Sequence, residues 1–184
     1  MLGAFVFPPP EATPDQPLPD AGLFLRAFSG TDQPTTTMQR CAQQLIGLWR
    51  EVFEHGRNVR DEVHELLALI TFAVDREADG HIRGIEPVPD APENPSSYGE
   101  MVSWMAWKYV LLAMRQDQPE FHARDDAECV AHIKAFDQMV ADVRSGGLRL
   151  PEKATDVWPP KTARPRTRPS QALSTEQSEQ DRSR

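Results

Sequence analysis

The densest run of oxygen ligands in this sequence lies between Asp75 and Glu86. Asp75, Glu77 and Asp79 take the first, third and fifth places of a twelve-residue stretch. Gly80 takes the sixth, Ile82 the eighth and Glu86 the twelfth. That is the spacing of a helix–loop–helix calcium site, in which alternate carboxylates and a final Glu surround a hard cation. Three features oppose it. Glu77 stands where a shorter Asp, Asn or Ser fits. Arg83 brings a positive charge to the ninth place, a ligand position. Pro87 and Pro89 block the exit helix that would aim Glu86. The expectation is a helix end followed by a polar turn.

A second cluster is His122, Asp125, Cys129 and His132, the last three at spacings that share one helix face. Cys and His three residues apart can hold zinc. Cys129, however, falls on an apolar seam, where a free thiol packs as a small hydrophobe, and no second ligand pair accompanies it. His64-Glu65 lacks the following His of a zinc-protease helix. There is no Gly-rich phosphate loop and no G-x-S-x-G elbow. The acidic pairs Asp61-Glu62 and Asp125-Asp126 suit helix starts. No residue is therefore assigned a catalytic, cofactor-binding or metal-ligating role, and the chain is not expected to be an enzyme.

What remains is the chemistry of contact. Leu23, Phe24, Leu25 and Phe28 make a short apolar patch within a Pro-rich arm. It can pack on its own body or on another molecule. Leu148 and Leu150 alternate just after Gly146-Gly147. Arg164, Arg166 and Arg168 lie in a basic, Pro-rich run over 159–169. That run suits an acidic surface, nucleic acid, a groove that reads extended Pro-rich chains, or plain solvation. These residues are the partner-binding candidates. Trp104, Trp107 and Tyr109, at helical spacing, read as core rather than as a platform for stacking bases.

The elements that would position them begin with the run 101–114, apolar at every place except Ser103 and Lys108. A helix hydrophobic nearly all round must be covered by other helices on most sides. Ser97 followed by Glu100 is a capping box that starts it at about 98. A first amphipathic helix is expected at about 35–55, capped by Asp32 or one of Thr35, Thr36 and Thr37, with a stripe from Met38 to Phe53. A second is expected at about 59–77, with Val59, Val63, Leu66, Leu67, Ile70 and Val74 inward. A last helix at about 126–145 carries the seam Cys129, Ile133, Phe136, Val140 and Val143, with Gly146 as its stop. His81–Ile85 reads as a short extended piece.

The expected fold is all-α: a four-helix antiparallel bundle-like domain over 34–151. An extended Pro-rich arm over 1–33 precedes it, and a basic, Pro-rich tail over 152–184, expected to be disordered, follows. Length suits one domain of 184 residues. Net charge is −8, yet 151–184 has seven basic residues against five acidic ones, which leaves −10 on residues 1–150. Such an acidic body is a poor non-specific partner for nucleic acid or anionic membrane. Cys41 and Cys129 form no CxxC pair, so a reducing compartment is expected. The N-terminus lacks the basic and apolar regions of a signal peptide. The 101–114 run is shorter than the ~20 residues that span a bilayer.

Residues 98–151 resemble the C-terminal half of Mu-like bacteriophage head–tail connector (neck) proteins. The resemblance is carried by Ala106-Trp107-Lys108-Tyr109, then by Phe136, Val140, Val143, Gly146, Leu148 and Leu150. The Pro-rich arm and the first helix depart from that family's pattern. The resemblance implies a non-enzymatic role in which several copies form a ring between portal and tail, without cofactors. Partners would be other copies and portal or tail proteins, in the host cytoplasm or the virion. The alternative is a soluble helical binding or regulatory module, an inhibitor or chaperone of a phage or bacterial protein.

Overall fold

The apolar run becomes α4 (Tyr98–Met114), and the other helices gather around it. The structure, a computed structural model, describes residues 9–151. In chain order the helices are α1 (Ala21–Ser29), α2 (Thr37–His55), α3 (Asp61–Ile82), α4 and α5 (Pro119–Arg144), with a 3-10 turn at Gly56–Asn58. Among the described residues there is no strand, so the fold is all-α. No helix among them is long and apolar enough to cross a membrane.

α4 starts where its capping box requires. Ser97 Oγ accepts the N–H of Glu100 at 3.1 Å, and Glu100 Oε2 accepts the N–H of Ser97 at 2.8 Å. Two orphan donors of the first turn are thereby satisfied. α1, α2, α3 and α5 all touch α4. Trp107 packs on Trp49 of α2, ring centroids 5.2 Å apart. Trp49 Nε1 donates to Ser103 Oγ at 3.1 Å, so one of α4's two polar residues satisfies a buried indole. The other, Lys108, reaches Glu128 of α5 at 3.6 Å. On α5, Phe136 is fully buried between Phe24 and Tyr98. Truncating a buried aromatic of this kind costs ~3–5 kcal/mol.

The structure differs from expectation in four places. First, the arm is not extended throughout. Residues 21–29 form α1, capped by the Asp20 side chain at its start and by left-handed Gly30 at its end. Leu18, Ala21, Phe24 and Phe28 join the same core as α2–α5, so this part of the arm packs on the body. Second, α3 runs on to Ile82, through Asp79-Gly80, and His81–Ile82 are helical rather than extended. Third, α5 starts at Pro119, which supplies the fixed φ of a first helical position. Asp125 is therefore a mid-helix residue and not a cap. Fourth, Leu66 of α3, expected inward, is exposed, because Val63, Leu67, Ile70 and Val74 already fill the face turned to the core.

The end of α5 is as the seam and glycines predict. Gly146 is left-handed (φ 76°), its N–H bonds Val143 O, and the N–H of Gly147 bonds Asp142 O. This 6→1, 5→2 pair is a Schellman cap. The chain then runs extended beside the 83–97 connection. Arg149 N donates to Pro92 O and Asn94 N to Arg149 O, each at 2.8 Å, and a single parallel bridge pairs Glu93 with Arg149.

Candidate functional site

The carboxylates of the calcium-like stretch point to different neighbours because the stretch is helical to Ile82. Asp75 accepts Ser97 Oγ at 2.8 Å and Gly99 N at 2.5 Å. Burial pushes its carboxyl up to about 6 against the pull of those two hydrogen bonds, and the negative Glu100 and Asp79 add to the rise. Glu77 instead accepts the backbone N–H of Glu11 at 3.0 Å and of Ala12 at 3.1 Å. Asp79 and Glu86 face water. A loop cannot wrap a cation with these oxygens on a continuing helix. The wrapped loop of a calcium site is not formed in this geometry, and the expected polar turn begins only after Ile82.

The zinc-like cluster is likewise dispersed. Asp125 is buried and pairs with Arg115 Nη1 at 3.2 Å and Arg124 Nη2 at 3.1 Å. Both guanidinium groups also stack on Phe121. His132 Nε2 donates to Met101 O at 2.8 Å, and burial holds its pKa below the ordinary imidazole value. Cys129 is buried and burial raises its thiol pKa. Cys41 is pushed up to about 11 by the same cause. Neither is a ready thiolate. Among the described residues no three ligating groups converge.

The partner-binding candidates divide into three sets. Phe24 (0% exposed) and Phe28 (7%) are core residues. Phe24 meets Tyr98 and Phe136 edge-on, with centroids 5.9 Å away in each case. Leu23 and Leu25 are half-buried against the same core. The patch faces inward because α1's i, i+4 pair turns both aromatic rings to one side. Within one chain, Phe24 and Phe28 are therefore buried in its own core rather than exposed. Leu148 and Leu150, in contrast, line an open groove of about 190 Å3 with Ile82, Ile85, Pro87, Val143 and Arg149. Arg164, Arg166 and Arg168 lie outside the described residues. Trp107 is core, and Tyr109 packs on Phe28 at 5.6 Å. A larger cleft, about 250 Å3, opens between α2 and α3, walled by Thr37, Arg40, Cys41, Gln44, Ala73, Arg76 and Glu77.

One feature escaped the sequence reading. Side chains of α3, α4 and α5 bind the main chain of residues 11–21. His81 Nδ1 donates to Gln16 O at 3.0 Å, Tyr98 Oη to Pro19 O at 2.6 Å, and Arg144 Nε to Leu18 O at 2.9 Å. Asp137 Oδ1 accepts the N–H of Ala21 at 2.8 Å. With Glu77 on Glu11 and Ala12, these groups fasten the segment along its length. Asp20 and Gly30, bracketing an apolar repeat, are the one local signal that a helix stands there.

Comparison with family models, with curated proteins and with solved structures gives no match to this chain.

Proposed function

We infer that the chain is a structural connector or assembly protein of a phage or prophage particle, working through protein–protein contacts among copies in a ring rather than by catalysis. The reading rests on the resemblance over 98–151. The observation that carries it is the groove at the end of α3 and α5. There Leu148 and Leu150 stand beside Ile82, Ile85 and Val143, and an apolar concavity of this kind suits a partner's side chains. A ring requires heterologous contacts, in which one face of each copy meets a different face of the next. Portal and tail proteins would be the outer neighbours, in the host cytoplasm or the virion.

Light scattering on the size-separated protein, followed by negative-stain imaging with a portal protein added, tests this. Closed multimers that bind the portal support it. A strict monomer that ignores portal and tail proteins defeats it. The cleft between α2 and α3, beside Arg40 and Gln44, favours a second reading, a helical binding or regulatory module. Capture of a defined non-virion protein that is lost on changing Gln44 would support that alternative.

A further inference from the structure

Most polar groups that hold residues 9–21 read main chain; Glu11 is the exception, its carboxylate accepting Thr37 N at 2.9 Å and pairing with Arg40 Nη2 at 2.8 Å on α2. Glu77 takes the N–H groups of Glu11 and Ala12, while His81, Arg144 and Tyr98 take the carbonyls of Gln16, Leu18 and Pro19. Leu18 and Ala21, each 1% exposed, are the side chains of this segment anchored in the core. The side chains from Thr13 to Pro17 face water.

Downstream, the local hydrogen bonds sort into two caps. Arg26 pairs with Asp32 at 2.9 Å, Ser29 bonds Thr31, and Thr31 N bonds Arg26 O, so residues 29–32 close on α1. Thr35 N and Thr36 N both bond Gln39 Oε1, so they close on α2. Between the two caps lie Gln33 and Pro34. A residue before proline is biased to extended backbone, which straightens this joint. Residues 9–32 are therefore joined to α2 through a short, extension-prone joint.

We propose that residues 9–32 are a lever exchanged between copies: those of one chain occupy the α2–α5 surface of a second copy, α1 packing mainly on α2. The exchanged contacts are the same ones seen within the chain, so nothing new has to be recognised, and exchange of an identical element is a low-cost route to assembly. Passed head to tail, the exchange supplies the heterologous contact of a ring. In that respect it rests on the assembly reading above.

The test uses full-length chains. A Cβ at Gly80 would lie 3.0 Å from the Cβ of Ala12. A disulfide holds its Cβ atoms ~3.5–4.5 Å apart, so Ala12→Cys and Gly80→Cys bring two sulfurs within reach once the pair parts by roughly half an ångström. One copy carrying only Ala12→Cys is mixed with a differently tagged copy carrying only Gly80→Cys, with the wild type as control for Cys41 and Cys129. Exchange gives a covalent heterodimer. Because Gly80→Cys also crowds Ala12 O, at 2.7 Å, a second variant deletes Gln33 and Pro34. The shortened joint disfavours closure within one chain, so the folded variant should have a molar mass at least twice that of the 20.7 kDa chain. A folded deletion variant that stays monomeric overturns the proposal, as does a mixture with no heterodimer when the doubly substituted chain closes on itself. If the wild type forms multimers without the interchain disulfide, exchange fails while the assembly reading stands. If it is monomeric and no disulfide forms, both fail.

Discussion

Asp75 and Gly99 tie α3 to the first turn of α4 through a 2.5 Å hydrogen bond from Gly99 N to Asp75 Oδ1. A carboxylate at a helix start meets the positive end of the dipole, yet burial outweighs that attraction and lifts the Asp75 carboxyl to about 6. Its native value thus lies above its unfolded value of 3.8. The native state holds a proton that the unfolded chain releases. The resulting stability is fully present below pH 3.8 and is lost as pH rises through about 6. By linkage the loss amounts to about 1–3 kcal/mol.

The denaturation midpoint of wild type should therefore carry a component that falls between pH 4 and 6, and Asp75→Asn should lack it. His132 acts oppositely. Its native pKa is lowered by burial, so its contribution is lost as pH falls below the ordinary imidazole value of 6.5. The informative quantity is the difference between wild type and Asp75→Asn across the range. A difference that does not change with pH would show that Asp75 does not titrate there.

The same joint leaves no room for a side chain. A Cβ at Gly99 would stand 2.3 Å from Thr71 O and 3.0 Å from the Asp75 carboxylate. The near atom is backbone of α3 and cannot swing away. Gly99→Ala should force α3 from α4 and cost ~1–3 kcal/mol or more, the range for overpacked sites. Urea denaturation measures it. The control is Gly47→Ala on α2, where nothing lies within 4 Å of the new Cβ; that change should stabilise by up to ~1 kcal/mol.

Legibility in the sequence followed the reach of the forces involved. α4 was readable because its apolar run and the Ser97–Glu100 box are local. The seam of α5 was readable because Cys129, Phe136, Val140 and Val143 all face inward, as their spacing requires. The end of α3 was not. Asp79-Gly80 looks like a turn locally, but Gly80 stays helical with Ala12, nearly seventy residues earlier in the chain, packed where its side chain would be. Glu77 and Asp75 looked like a ligand set because sequence spacing does not report which way a helix turns each carboxylate. The apolar patch at 23–28 left two outcomes open, and only the positions of Tyr98 and Phe136 decide between them.

The groove and the core make opposite predictions for neighbouring leucines and phenylalanines. Leu148 and Leu150 are half-buried at the groove's rim, so Leu148→Ser with Leu150→Ser should cost less than Phe136→Ala, which creates a buried cavity worth ~3–5 kcal/mol. If the groove takes a partner, the double Ser variant should lose assembly at unchanged helix content, read by light scattering and circular dichroism. Multimers that persist in the Ser variant would remove the groove from the interface.

Glu77 gives the last prediction, and it separates local from global stability. Its carboxylate accepts the backbone N–H groups of Glu11 and Ala12. Hydrogen bonds to a charged acceptor are worth ~1.5–3 kcal/mol, against ~1 for a neutral one. Glu77→Gln keeps the shape and removes the charge, so the arm's first anchor weakens while Leu18, Tyr98 and Arg144 still hold the rest. Amide exchange at Glu11 and Ala12 should quicken about tenfold, the factor that ~1.4 kcal/mol of lost protection gives, while the midpoint of global unfolding shifts little. Uniform quickening across α4 and α5 would instead mean that the arm and the core open together, as one cooperative unit.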